Sequence, residues 1–359
     1  MSTTDHTGPP DIAIVGWAQS PMLRQTELSE GQLLVRVITD ALESIGLTRA
    51  DVDFNCAGSC DYISGQPFSF VQNIDAIGAW PPKRDSHVEM DGAWALYEAW
   101  LRLRLGDLEV AVVTGSGRSS TANPHLIYPM EMDPFFLAPL GTDAASLAAL
   151  QARALIDSGG VTERQMAEVA ARSRRDAEAN PHAQVSGSAD PDELLAEDYV
   201  RSPLRRHDLP PITDGACAVV LATGAKAREL TTRPAWIRGI AHRSELHYPG
   251  LRDLTQSPST SAAAEAAGVD RGEVDVAEIH AAFSHEDPLL RRALGLAEST
   301  VVNPSGGPLA ANPIMATGLV RIAEAAAQIA NHAKHRTVAH ATSGPCLQQN
   351  LVCVLEEGS

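Results

Sequence analysis

Two kinds of segment alternate along most of the chain. Short continuous apolar runs read as buried strands, and Ala-rich runs with helical spacing of apolar positions read as helices. IAIVGWAQSPM at 12–22 predicts a buried strand and a turn. AWALYEAWLRLRLGD at 93–107 predicts a helix, and EVAVVTGSG at 109–117 a strand. The same rhythm returns late in the chain. PAWIRGIAHRSEL at 234–246 opens it, LVRIAEAAAQIANHAK at 319–334 is helical, and TVAHATSGP at 337–345 is a strand running into a turn. Such alternation predicts a parallel or mixed sheet sandwiched by helices.

The two stretches are also alike residue by residue, which points to an internal duplication. ALESIGLTRADVDF at 41–54 aligns without gaps on AAEAAGVDRGEVDV at 263–276. Gly46 meets Gly268, Arg49 meets Arg271, Val52 meets Val274 and Asp53 meets Asp275. Each segment reads as a helix closed by a left-handed Gly, an acidic turn and a strand. The expected organisation is a first half over 1–117 and 206–228 and a second half over 229–359. Residues 118–205 break the rhythm with helix-like runs at 142–159 and 162–179 and a Pro/Gly/Ser-rich stretch at 180–193. They are expected to form an insertion that caps a site.

Composition narrows the function classes. With 44% hydrophobic residues the chain can bury a large core, but aromatics are only 4%, so Ala, Val and Leu must do the packing. The formal net charge of −17 repels phosphate backbones, so no nucleic-acid partner is expected. No apolar run approaches the roughly 20 residues of a membrane span, and residues 1–10 lack a basic segment before an apolar one. Together with five sparse cysteines, this leads us to expect reduced thiols and a cytoplasmic location. The cysteines at 56 and 60 have no second pair for zinc, and Ser120 spoils a dinucleotide fingerprint after GSG at 115–117, so neither metal nor resident cofactor is expected.

Four segments, in order, carry a family resemblance. ITDGACAVVLA at 212–222, EIHAAF at 278–283, NPSGGPLAANPIMATG at 303–318 and SGPCLQQNLVCVLE at 343–356 resemble motif regions of the thiolase superfamily. The branch they resemble is the sterol-carrier-protein-type, or lipid-transfer, one. The resemblance implies the thiolase fold, an α/β duplication in five α-β-α-β-α layers with a loop-domain insertion. It also implies a CoA thioester as substrate, pairing into a homodimer or a heterodimer with another thiolase-like chain, and a possible small OB-fold acyl-CoA-binding partner.

The family's catalytic groups are largely replaced here. Thiolase chemistry needs a cysteine thiolate at a helix N-terminus. Placing the family's Cys-x-x-Gly on Gly92 puts Glu89 at the nucleophile position. Glu89 reads either as a carboxylate base or as a helix-start carboxylate favoured by the dipole, with His87 and Asp91 competing for any acid–base role. His280 matches the histidine that the resemblance assigns to the thioester oxygen, while Ala282 replaces the motif's usual cysteine. Asn312 replaces a histidine base, and an amide can donate to a carbonyl oxygen but cannot act as a base. The C-terminal cysteine position falls on Thr342, with Cys346 nearby as an acid–base thiol or a buried hydrophobe. His285, Glu286 and Tyr248 could face the cleft or be surface residues. Gly306 and Gly307, with Arg201, Arg205 and Arg206, are the positions expected to meet CoA.

This pattern favours retro-aldol cleavage of a β-hydroxyacyl-CoA, as in the steroid side-chain aldolases that this branch resembles. His280 and Asn312 would hold the enolate oxygen, with Glu89, Cys346 or His285 as the base. An acyltransferase or Claisen-type enzyme using Cys346 and a non-catalytic acyl-CoA-binding subunit are the other classes left open.

Overall fold

The computed structural model describes residues 10–358, and its architecture follows from the duplication. The strands are β1 (Ile12–Gln19), β2 (Phe54–Gly58), β3 (Arg84–Val88), β4 (Val110–Arg118), β5 (Tyr199–Arg201), β6 (Leu204–Arg205), β7 (Asp214–Thr223), β8 (Ala235–Ser244), β9 (Val276–Glu278), β10 (Val301–Val302), β11 (Arg336–Ser343) and β12 (Gln349–Glu357). The longer helices are α1 (Glu30–Glu43), α2 (Gly92–Leu103), α3 (Pro124–Glu131), α4 (Ala144–Asp157), α5 (Glu163–Asp176), α6 (Pro258–Ala267), α7 (Glu286–Ala293) and α8 (Thr317–His332).

The main sheet runs β10-β9-β11-β12-β8-β1-β7-β4-β2-β3. Cut between β8 and β1, it falls into two five-strand halves of the same order. In the first, β2 is parallel to β3 and β4, and β7 is antiparallel to β4 and β1. In the second, β9 is parallel to β10 and β11, and β12 is antiparallel to β11 and β8. The halves join where Ala13 pairs with Trp236 and Ile14 with Ala235.

The aligned aspartates explain why the repeat kept them. Asp53 Oδ2 accepts the N–H groups of Glu109 and Val110 at 2.9 and 3.0 Å, at the start of β4. Asp275 Oδ2 accepts those of His335 and Arg336 at 2.8 and 3.1 Å, at the start of β11. Each therefore ties the strand it precedes to the next one in its half. Gly268 closes α6 with φ of 79°, a conformation that any side chain would strain.

Side chains alternate across the strands, so each half-sheet has two apolar faces. Cys217, Val219 and Leu221 of β7 face a central core with Leu96 of α2 and Leu319 and Ile322 of α8. Ala218 and Val220 face the opposite side, against Leu33, Val37 and Ile38 of α1. In β12, Leu351 and Cys353 face the centre, while Val352 and Val354 face Ala263 and Ala264 of α6. The result is the expected thiolase fold: helix, sheet, paired central helices, sheet, helix. The inserted α4 packs on the outer core of the second half through Ala148, Ala152 and Leu155. Its residues Ala144, Ala145, Leu147 and Ala148 also line the cavity described below.

Candidate active site

Segments from both halves and the insertion converge on one cavity of about 590 Å³. Its walls include Glu89–Asp91 ahead of α2, Tyr128 and Met132 of the insertion, and His280, Phe283 and Glu286 after β9. They also include Asn312, Ile314 and Met315 ahead of α8, and the turn from Thr342 to Gln349. The walls come close because Gly117 of β4 has no side chain. A Cβ there would lie 2.0 Å from Ile314 O. That close approach, not a dinucleotide, accounts for the glycines of the GSG run.

His280 is placed by the way β9 ends. Beyond Glu278 the backbone pairing ends, and side chains accept the next two amides. Ile279 N–H donates to Asn303 Oδ1 at 2.7 Å, and His280 N–H to His340 Nδ1 at 3.4 Å. The His280 ring accepts the Thr342 N–H on Nδ1 at 3.3 Å. Burial, then His340 and Arg321, hold its pKa well below the usual histidine value, so the ring is neutral. A neutral ring that accepts on Nδ1 carries its hydrogen on Nε2. His280 is thus a fixed hydrogen-bond donor, the kind of group that stabilises an oxyanion.

Asn312 lines the same cavity. Its side-chain oxygen lies 2.9 Å from Thr317 Oγ1, which also reaches Pro313 O at 2.9 Å. Whichever way the amide points, at least one N–H remains to offer a substrate. Glu286, the first residue of α7, is buried and accepts the Phe283 N–H at 3.1 Å. Burial pushes its carboxyl up to about 7, against the backbone N–H groups that pull it down. A carboxyl that titrates near neutrality suits general acid–base work.

The remaining expected residues divide. Cys346 lines the cavity, but its thiol donates to Leu147 O at 3.5 Å, and burial pushes it up to about 12. Cys60 also lines it and is raised by burial to about 11. Both are protonated near neutrality. Glu89 lines the cavity as an exposed residue and accepts the Asp61 N–H at 2.6 Å. Capping α2, one of the two readings of Glu89, falls to Asp91. Its buried carboxylate accepts Ala93 N–H at 2.8 Å and the Gly318 and Leu319 N–H groups at 2.9 and 3.0 Å. One side chain therefore caps both central helices, a structural use of the carboxylate.

His285 does not reach the cavity. It is fully buried beside Gln151, Nε2 to Oε1 3.3 Å, and burial pulls it down to about 3. As the N-cap position of α7 it turns inward, while Glu286 one step later faces the site. Gly306 and Gly307 also lie away from the cavity walls. Gly306 O accepts the Ser173 hydroxyl at 2.5 Å, and a Cβ on Gly306 would meet Ala177 at 2.6 Å, so this turn seats the insertion. None of Arg201, Arg205 and Arg206 lines the cavity. Arg205 is buried against Glu163, bonded at 2.5 Å, with its guanidinium over the Tyr199 ring, so the insertion's own fold uses its charge. Tyr248 bonds to Asp133, and His247 lines the cavity in its place. His87 stacks on Phe70 at 3.9 Å, outside the cavity.

Glu286 carried a usable signal: an acidic residue opening an amphipathic helix six positions after His280. Capping of the second helix by Asp91 had none, since Gly318 and Leu319 stand more than two hundred positions away.

No family model matches the chain. Among curated proteins it is 27% identical to an acetyl-CoA acetyltransferase of Methanothermobacter thermautotrophicus, over 93% of this chain and 94% of that one. It is also 27% identical to the 17-hydroxy-3-oxo-4-pregnene-20-carboxyl-CoA lyase of Mycobacterium tuberculosis, over 64% of this chain and 62% of that one. Among solved structures it superposes on an Ltp2-ChsH2(DUF35) aldolase with a TM-score of 0.82 and 20% identity, covering 97% of this chain and 98% of that one.

Proposed function

The chain is thiolase-like and resembles the lipid-transfer branch of that superfamily; from this premise we propose that it is a C–C lyase. Its substrate is a β-hydroxyacyl-CoA, cleaved by retro-aldol chemistry without an acyl-cysteine. The observation that carries the reading is the make-up of the cavity. A neutral histidine donor, an amide donor and a carboxyl titrating near 7 share its walls, while its two cysteines stay protonated.

The step balances on these groups alone. Glu286 carboxylate takes the β-hydroxyl proton, the Cα–Cβ bond breaks, and a carbonyl compound leaves. The bond's electron pair becomes a thioester enolate, held through its oxygen by His280 Nε2–H and an Asn312 N–H. The protonated Glu286 then returns the proton to Cα, which yields the shortened acyl-CoA. The CoA thioester is the substrate, and the step uses no resident cofactor or metal. Incubating the purified protein with a synthetic β-hydroxyacyl-CoA tests it. Release of equimolar ketone or aldehyde and shortened acyl-CoA supports the lyase; an intact substrate counts against it.

The acetyltransferase relative favours a second reading, acyl transfer through a cysteine. Trapping a labelled acyl group on Cys60 or Cys346 would establish it and remove the lyase. For assembly we propose a dimer formed by the edge strand β3, whose outer side is unpaired. The exposed Phe68, Val71 and Trp80 beside it support this. The aldolase named for its ChsH2(DUF35) component supports a further small acyl-CoA-binding partner. Among the described residues no helix is long and apolar enough to cross a membrane.

A further inference from the structure

A buried chain of hydrogen bonds leads from the surface to His280, and every hydrogen in it can be placed. It begins at Glu245, which accepts the Ser259 hydroxyl at 2.5 Å and the Ser259 N–H at 3.0 Å. With its hydrogen committed, Ser259 Oγ can only accept from Asn350 Nδ2, at 2.7 Å. Asn350 Nδ2 also donates to Leu347 O at 2.8 Å, so the amide has one orientation and its oxygen faces His340. His340 Nε2, 3.0 Å from that oxygen, must then carry the ring's hydrogen. His340 Nδ1 is left as a lone pair, and it accepts the His280 N–H at 3.4 Å.

We propose that His340 is a positioning residue that holds His280 in register as a donor, with its own proton fixed by the Asn350–Ser259–Glu245 chain. This rests on the enolate-binding role of His280. Strand β11 grips His280 at two points: His340 takes its backbone N–H, and Thr342 N–H meets its ring. The side chain of His340 supplies the acceptor that a neighbouring strand's carbonyl would supply if β9 ran on. His340 is fully buried and absent from the cavity wall, so it cannot touch substrate. Burial pulls its pKa down to about 4, which keeps the lone pair available near neutrality. Arg252 joins the same network to the turn that carries Cys346. It lies 3.8 Å from Glu245 and donates to Pro345 O and Cys346 O at 2.7 and 3.1 Å.

The test reads the imidazole nitrogens of the ligand-free protein by ¹⁵N-histidine NMR, with the His280 signals identified by their loss in His280→Ala. Wild type is expected to show His280 as a single neutral form with hydrogen on Nε2. In His340→Leu the grip opens, the two neutral tautomers of His280 mix, and kcat falls about a hundredfold, as for loss of one oxyanion donor, with KM moving far less. His340→Asn, whose Oδ1 falls near the lost Nδ1, should restore both readings. Asn350→Ala removes the oxygen that fixes the His340 hydrogen on Nε2. It should shift the His280 signals the same way, and it carries the test if His340→Leu does not fold. His280 signals in Asn350→Ala and His340→Leu that match wild type would overturn the proposal. A wild type without lyase turnover would sink the proposed reaction, while the tautomer reading would still decide this one.

Discussion

Glu286 and His280 do opposite things with burial. For a carboxyl, desolvation favours the protonated form; for an imidazole, the neutral one. Glu286 is thereby brought to about 7, where it can both take and return a proton, and His280 is confined to donating. Glu286→Gln should lower turnover by about 10²–10⁴-fold, the usual worth of a positioned acid–base group. In wild type, kcat/KM should rise with pH through about 7 as the carboxylate forms, and the limb should vanish in the variant. The same raised value costs stability. The native carboxyl keeps its proton above its unfolded value of 4.5, so its contribution falls as pH rises from there to about 7. Glu286→Gln should therefore melt higher than wild type at pH 8. Cys346→Ala should keep most of the turnover, because a thiol raised to about 12 offers no thiolate; a collapse would favour acyl transfer.

At the scale of elements, the duplication makes paired predictions. Asp53 and Asp275 each accept two backbone N–H groups at the start of an inner strand. Replacing either by Ala should cost about 1.5–3 kcal/mol, the usual worth of hydrogen bonds to a charged group. The two costs should add in the double variant, because the sites share no partner; denaturant titration measures both. For Asp275 burial acts to raise the pKa, but the N–H groups of Arg336 and His335 outweigh it and leave the value lowered. A lowered carboxyl adds stability above its unfolded value of 3.8 and loses it as pH falls through the folded value. Asp275→Asn should flatten that acid limb. Local pattern reached this scale well. Gly46 and Gly268 marked helix ends, and the apolar run in EVAVVTGSG marked a buried strand. It could not tell which side of the first turn of α7 faces the site, so it offered His285 as a base where Glu286 lines the cavity.

Across the whole molecule, the cavity's charge sets what it accepts. Among the described residues, Glu89, Glu131 and Glu286 line it, and neither lysine nor arginine does. Burial, then Glu89, raises the Glu131 carboxyl, a sign of carboxylates crowding one another. An acyl group ending in a free carboxylate would meet that field, on a chain already at −17. Matched CoA thioesters with and without a terminal carboxylate should differ in affinity by about tenfold or more, in favour of the neutral one, given the cost of juxtaposed like charges. Calorimetric titration of the two, repeated with Glu131→Gln, checks it; equal affinities in wild type would show that the carboxylates do not select.

The order of helices and strands, the repeat, and the absence of a cysteine ahead of Gly92 are properties of neighbouring residues. The chain alone determined them, because caps, periodicity and motif spacing act over a few positions. The site's protonation states are different in kind. Arg205 turned inward to Glu163, Gly306 became a seat for the insertion, and Glu286 rather than His285 reached the cavity. Each outcome depends on which distant segment arrives beside the residue. Desolvation and hydrogen bonding, the forces that set a pKa or commit a charge, exist only once those segments have met. Tertiary structure therefore decided the chemistry on a framework that local sequence had already laid out.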